Sequence, residues 1–273
     1  MGECYWPAAA GALPPLPGRV LGAPQAYHPR VPDQLSLSLT GDIARLPRSM
    51  RPMMPRGPEP PFNSDEHVFE PCWGGKRALA FVEPERRGKP ALRLLDELGR
   101  DLAPHLPELA AIAALVGEVP AILDGEVVVP DRAGRMDSEA LAGRMADGQA
   151  TGLAPVYLAF DLLWAGGRPL VAQPLLKRRE RLAKSVKPGP ELVIVPGVVR
   201  DGVDLHDAVA QQGLAGVMGR HLRSPYLPGR HSDLWRWLPI VPGAVAVRAP
   251  APAGRVHSPR PVLSLIQRLP FED

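Results

Sequence analysis

Cysteine is scarce in this chain: of 273 residues only Cys4 and Cys72 are cysteine, the first in a Pro-rich leader and the second in the body. Two thiols so placed build neither a disulfide framework nor a metal cluster, and they suit a reducing, cytoplasmic setting. None of the seven histidines is spaced with them as a zinc site requires. Long apolar runs are missing too, and no stretch reaches the roughly 20 residues that span a bilayer. The opening "MGECYWPAAAGALPPLPG" lacks the basic start and continuous apolar run of a secretion signal, and Trp6 stands where a myristoylation signal needs Ser or Thr. A soluble protein with no membrane partner is expected. Nor is there a surplus of one charge: 32 Lys and Arg against 29 Asp and Glu give +3, too little to infer a dedicated nucleic-acid face.

What the chain has in quantity is proline, 35 residues concentrated at the two ends, as in "PPLPGRVLGAP", "RPMMPRGPEPP" and "VRAPAPAGRVHSPRP". Such segments form no packed core of their own. The expected organisation is a disordered leader over 1–51, a folded domain over 52–239 and a Pro/Arg-rich tail over 240–273. From Phe62 to Pro239 the charges nearly cancel, whereas both ends are net positive; the tail carries Arg248, Arg255, Arg260 and Arg268 against Glu272 and Asp273. Flexible basic segments bind phosphate without sequence preference, so contact with DNA is expected through the ends. Inside the domain, "KRALAFV", "AILDGEVVV", "PVYLAFDLL", "ELVIVPGVV" and "AGVMGR" read as strands. "LPELAAIAALV", "QPLLKRRERLAKSV" and "DLHDAVAQQ" read as helices, the first with Leu109, Ile112, Ala113 and Val116 on one face. The pattern is α+β, and its Gly-rich turns imply antiparallel sheets flanked by helices.

The chemistry-bearing landmarks follow one another in order. "EPCWGGKR" (70–77) opens the series. "LRLLDELGRDLAPHLPELAAIAAL", "ILDGEVVV", "AFDLLWAGGRPLVAQPLLKRRERL" and "GLAGVMGRHLRSPYLPGRHSDLW" come after it. In this order and spacing the chain resembles, over roughly residues 52–238, the adenylation (nucleotidyltransferase) domain of ATP-dependent DNA ligases. That resemblance implies an ATP-grasp-like nucleotidyltransferase fold. It also implies a chemistry in which a motif-one lysine attacks the α-phosphate of ATP, and the lysyl-AMP formed then passes AMP to a DNA 5′-phosphate. Such chemistry needs a nucleophile and cations that offset charge developing on phosphorus.

Measured against the family's E-x-K-x-D-G-x-R, the lysine position holds Cys72 and the aspartate position Gly74. The glutamate of the fourth motif is Ala215 and its lysine Arg220; the two lysines after Trp235 are Trp237 and Pro239, and the arginine of the Ser-Arg turn is Glu97. Glu70, Gly75, Arg77, Asp124, Gly125, Glu126, Phe160 and Asp161 are kept. The resemblance assigns Arg77 and Glu126 to the ribose and Phe160 to stacking on adenine, with Glu70 and Arg220 completing the nucleotide site and Glu126 as a candidate metal ligand. ATP or AMP is the implied cofactor, and Mg²⁺ is expected to be held poorly. Cys72 is either an unusual nucleophile, which needs its pKa lowered by a cation such as Lys76 or Arg77, or an inert small residue. Lys76, beyond the Gly-Gly turn, is the other candidate nucleophile. Asp124–Glu126 is either a pocket acid motif or a surface turn, Phe160 serves as a core aromatic at the least, and "LKRRERL" is a solvated helix face or a phosphate contact. "WGGK" lacks the glycine spacing and following Ser or Thr of a P-loop.

The expectation is a ligase-like adenylation domain of a DNA repair or recombination setting that no longer catalyses, a pseudoenzyme retaining nucleoside or DNA binding. The alternatives are a minimal nucleotidyltransferase completed by a partner chain that supplies an OB-fold, which the short tail does not provide, and a non-enzymatic scaffold with Pro-rich interaction ends.

Overall fold

The structure, a computed structural model, describes residues 45–240 apart from 87–88, 133 and 148–153. The leader over 1–44 and the tail over 241–273, with the basic ends on which DNA contact was expected, lie outside the described residues. In chain order the strands are β1 (Met54–Pro55), β2 (Ser64–Cys72), β3 (Lys76–Arg86), β4 (Lys89–Leu95), β5 (Ala121–Val128), β6 (Val156–Ala165), β7 (Arg168–Pro169), β8 (Leu192–Ile194), β9 (Val198–Arg200), β10 (Gly216–His221), β11 (His231–Ser232) and β12 (Trp235–Pro239). The helices are α1 (Ile112–Leu115), α2 (Ser138–Asp147), α3 (Leu175–Ser185) and α4 (Gly202–Gln211). None is long and apolar enough to cross a membrane.

The first large sheet runs β4-β3-β5-β6-β7, with β8 parallel to β6; the second runs β12-β10-β2-β9 and is antiparallel throughout, and β1 and β11 form a separate two-stranded parallel pair. This is the α+β arrangement implied by the sequence. The core fills the first sheet, and β5 in its middle is buried along its whole length. Such a strand can be apolar at nearly every position. Asp124–Glu126 lie inside this strand and form no surface turn. Gly125 is required there, because a Cβ would stand 2.5 Å from Tyr157 Cζ and 2.6 Å from the Leu158 carbonyl oxygen.

Two elements differ from the sequence reading. "LPELAAIAALV" is a 3₁₀ segment, Pro107–Ala111, followed by the single turn α1, although Leu109, Ile112, Ala113 and Val116 are all buried as its periodicity required. Val116 instead bridges Val186, and Gly117 donates to the Ser185 carbonyl, so the chain leaves the helix early for a tertiary contact. "ELVIVPGVV" is two strands. Pro196 supplies no N–H to continue a ladder, and the chain passes there from β8 in the first sheet to β9 in the second. Residues 48–51, assigned to the leader, attach to the body: the Arg48 carbonyl accepts from Arg93 (2.8 Å) and that of Arg51 from the Gly229 N–H (3.0 Å).

Helix α3 is docked by charge. Its buried side carries Leu175, Arg178, Leu182 and Ser185. Arg178 and Asp161 of β6 are both fully buried and joined by two hydrogen bonds, Nε to Oδ1 at 2.8 Å and Nη2 to Oδ2 at 2.7 Å. Arg178 Nη1 also donates to the carbonyls of Gln173 (2.6 Å) and Ser224 (2.9 Å). Removing one partner strands the other charge in the interior. Arg178→Ala is therefore expected to destabilise the domain by about 3–5 kcal/mol in urea unfolding, against less than about 1 kcal/mol for the exposed Lys184→Ala; equal losses would contradict this account of α3.

Candidate functional site

The two sheets face each other across a group of aromatic rings and arginines. From the first sheet come Arg77 (β3), Asp124 and Glu126 (β5) and Phe160 and Asp161 (β6); from the second come Glu70 (β2), Arg220 (β10) and Trp235 (β12). In β10 and its neighbours the register places Arg220 opposite Val68 and Trp235, Met218 opposite Glu70 and Trp237, and Gly216 opposite Cys72 and Pro239. Directly opposed residues of an antiparallel pair share a face. Glu70, Cys72, Arg220, Trp235 and Trp237 therefore line one face of the second sheet.

Phe160 and Trp235 stand nearly perpendicular, 82° with centroids 6.4 Å apart, and Tyr226 meets Trp235 edge-on at 5.6 Å. Two guanidiniums occupy the corner between Phe160 and Trp235: Arg77 lies 5.0 and 5.1 Å from the two centroids, and Arg220 4.0 and 4.6 Å. Asp124 fixes Arg77 by hydrogen bonds from Nε (2.8 Å) and Nη2 (2.6 Å) and accepts a third from the Tyr226 hydroxyl (2.6 Å). Burial opposes the charge on Arg77, but the Asp124 carboxylate outweighs it and drives the guanidinium pKa up. Burial, reinforced by Asp124, likewise keeps the Tyr226 phenol protonated. Met53 closes this side: fully buried, it donates its N–H to Tyr226 Oη (3.0 Å) and accepts from Arg77 through its carbonyl (3.1 Å).

Glu70, also buried, pairs with Arg220 and with Arg179 of α3. Arg179 extends to the carbonyls of Phe160 and Val195, each at 3.0 Å, and burial lowers its pKa to about 10, which leaves it charged at neutral pH. Glu126 turns to the loop after β2, accepting from the N–H groups of Trp73 (3.4 Å) and Gly75. Burial nevertheless raises its pKa. Gly75 is needed for this approach, since a Cβ would fall 2.2 Å from the Val127 carbonyl oxygen.

The candidate nucleophiles are separated. Cys72, partly buried and in no disulfide, ends β2 beside Gly216, and the Ala215 N–H donates to its carbonyl (3.0 Å). Lys76 and Arg77 are adjacent in β3 and so leave it on opposite faces. Lys76 Nζ is ion-paired with Glu97 at 2.6 Å and lies 3.9 Å from Asp96. Gly74 has φ of 84°, a conformation that glycine adopts without strain. Trp237 lies across Gly216: a Cβ on that glycine would meet its Cη2 at 2.6 Å. Cys72, Ala215, Trp237 and Pro239 thus gather at one end of the second sheet.

A divalent cation does not fit this donor set. Hard cations need several carboxylate or carbonyl oxygens turned to one point. Here Glu70, Asp124 and Asp161 are each paired with arginine and Glu126 with backbone N–H groups. Among the described residues no three His, Cys, Asp or Glu side chains converge.

Sequence reasoning missed Arg178, Arg179, Tyr226 and Met53 as parts of the site. "LKRRERL" is not a wholly solvated face: Arg178 is buried, Arg179 largely so, and both serve pocket acids. The signal was present for Arg178, which shares the i, i+3, i+7 spacing of Leu175 and Leu182. Because burial raises the Glu126 pKa from its ordinary 4.5, the folded state binds its proton more tightly than the unfolded chain does. Stability from this group is present below pH 4.5 and is lost as pH rises through the raised folded pKa. Urea midpoints measured across this range should fall less steeply in Glu126→Gln than in the parent, and identical slopes would contradict the assignment.

Residues 62–238 match the ATP dependent DNA ligase domain. DNA ligase C1 of Mycolicibacterium smegmatis is 37% identical over 176 residues, which cover 59% of this chain and 48% of that protein. The multifunctional non-homologous end joining protein LigD of Pseudomonas aeruginosa is 34% identical over 170 residues, 62% of this chain and 19% of that protein. The chain thus spans less than half the length of these relatives. Among solved structures, the ligase domain of M. tuberculosis LigD superposes with a TM-score of 0.57 at 27% identity, covering 70% of this chain and 59% of that one. A mycobacterial DNA ligase D complexed with ATP and MES gives 0.56 at 28%, covering 70% and 60%. Since the matched segment covers well over half of the chain and takes in both large sheets with the arginines and aromatic rings packed between them, this chain belongs to the ATP-dependent DNA ligase domain family.

Proposed function

We propose that this chain carries a ligase-type adenylation domain that has ceased to form lysyl-AMP and acts in a DNA repair setting as a non-catalytic module. Its slot retains affinity for a nucleoside, and its basic ends contact DNA. One observation carries the reading. The positions that the family resemblance assigns to the nucleophile, a metal carboxylate and the phosphate lysines are Cys72, Ala215, Trp237 and Pro239, and the sheet register brings them to the same end of the second sheet. That end offers an α-phosphate no amine and no ammonium group. The guanidiniums that could serve three phosphates there are already engaged, Arg77, whose charge acts on Cys72, by Asp124 and Arg220 by Glu70, which makes their entry into a partly buried place unfavourable. The rest of the site, with Arg77, Asp124, Phe160 and Arg220, is built from residues the family pattern keeps or replaces by another cation.

Mass spectrometry after incubation with ATP and Mg²⁺ or Mn²⁺ should show no adenylate adduct. An added AMP mapped to Lys76 or Cys72 would overturn the proposal and favour a minimal nucleotidyltransferase completed by a partner chain. Cys72→Lys alone should not seal nicks, because the carboxylate and cation positions around it remain changed and groups that act as a unit do not recover singly. Nick sealing by that single variant would show the other departures to be tolerated.

A further inference from the structure

We propose that Arg220 is an internal ligand of the slot: its guanidinium takes the place of a flat ligand ring on Phe160, and a nucleoside binds only by displacing it. The inference rests on the reading of this slot as a degenerate nucleoside site, and it adds how entry to that site is controlled.

The geometry is that of an occupied stacking site. The Arg220 guanidinium carbon lies 4.0 Å from the Phe160 centroid and 4.6 Å from that of Trp235. A flat ring stacks on an aromatic face at comparable separation, so guanidinium and base compete for one volume. Arg220 is only 2% exposed and is tethered by Glu70, itself 1% exposed. A lysine at this position could reach Glu70 but would present no planar group to Phe160.

The closed arrangement is incompletely satisfied. Arg220 Nε and Trp235 Nε1 are buried donors with no hydrogen-bond partner, and the two residues are opposed in the β10–β12 ladder. Buried donors left in this way are unfavourable. Two such donors at the place where Arg220 stacks lower the cost of its leaving, which its pairing with Glu70 otherwise opposes. Departure of Arg220 leaves Glu70 paired, because Arg179 holds it independently. Displacement therefore strands no carboxylate, and an Arg220 variant retains a neutralised core. Arg77, held by Asp124, stays in the corner and keeps a cation beside the incoming ring.

Calorimetric titration of the full chain with adenosine and with AMP tests this in the parent, Arg220→Lys and Arg220→Ala, each first shown to unfold cooperatively. Both variants are expected to bind adenosine about tenfold tighter than the parent, the scale of one lost stacked cation. Equal affinities, or no adenosine binding in any of the three folded proteins, would overturn the proposal. Should the variants fail to fold, the parent decides. The Arg220 Nε–H resonance is expected to be shifted by the aromatic ring current and to lose that shift on saturation with adenosine; a resonance unshifted from the outset would count against the stacked arrangement. An adenylate adduct on the parent would remove the pseudoenzyme reading while leaving the affinity ratio to be judged separately.

Discussion

The buried carboxylate of Glu70 joins the two sheets. It projects from β2 of the second sheet and receives Arg220 from the same sheet and Arg179 from α3, and Arg179 continues to the Phe160 carbonyl of the first sheet. A carboxylate so deep is stable only when cations and donors surround it. Arginine suits the task because its planar fork can serve a carboxylate and several carbonyls together. The position of α3, the placement of Phe160 against Trp235 and the posture of Arg220 all follow from satisfying this one acid and its neighbours Asp124 and Asp161.

The same requirement shapes the chemistry of the slot. Each buried carboxylate that could have drawn in a metal is already engaged by arginine or by backbone N–H groups, and the cations that could have drawn in phosphate are engaged by those carboxylates. The charges are spent on one another. What remains is aromatic surface covered by Arg220 and Arg77 at one end and, at the other, an apolar corner of Cys72, Ala215 and Trp237.

Much of this was legible in the sequence. "AILDGEVVV" read as a strand, though whether Asp124–Glu126 lay in a pocket or a surface turn stayed open until the structure buried them, and the order of the landmark motifs was sufficient to give the family and the fold class. Strand β2 was harder to read, since Ser64, Asp65, Glu66 and His67 at its polar start precede a continuously buried run, Val68–Pro71, that itself carries an acid. Helix α1 was overestimated because residues 107–116 have helical periodicity but leave the helix for contacts with α3 that no local pattern announces. At the site, the kept residues were named but their partners were not. Arg179 and Glu70 are far apart in the chain, and neither periodicity nor composition pairs one arginine of "KRRER" with one particular acid. Met53 was read as part of a Pro-rich segment, and its role depends on Tyr226 lying across the fold.

Among the described residues, the chain passes between the layers beside Glu70 on both of its crossings, through 73–75 after β2 and through 195–197 between β8 and β9. At the second crossing the fit is close, for a Cβ on Gly197 would stand 2.5 Å from Val68 Cγ2 and 3.1 Å from Glu70 Cγ. Two covalent links on one side behave like the spine of a book. Between these two links the layers can part only so far, and the hydrogen bonds of Tyr226 to Met53 and Asp124, with its edge-on contact to Trp235, fasten them at a further place.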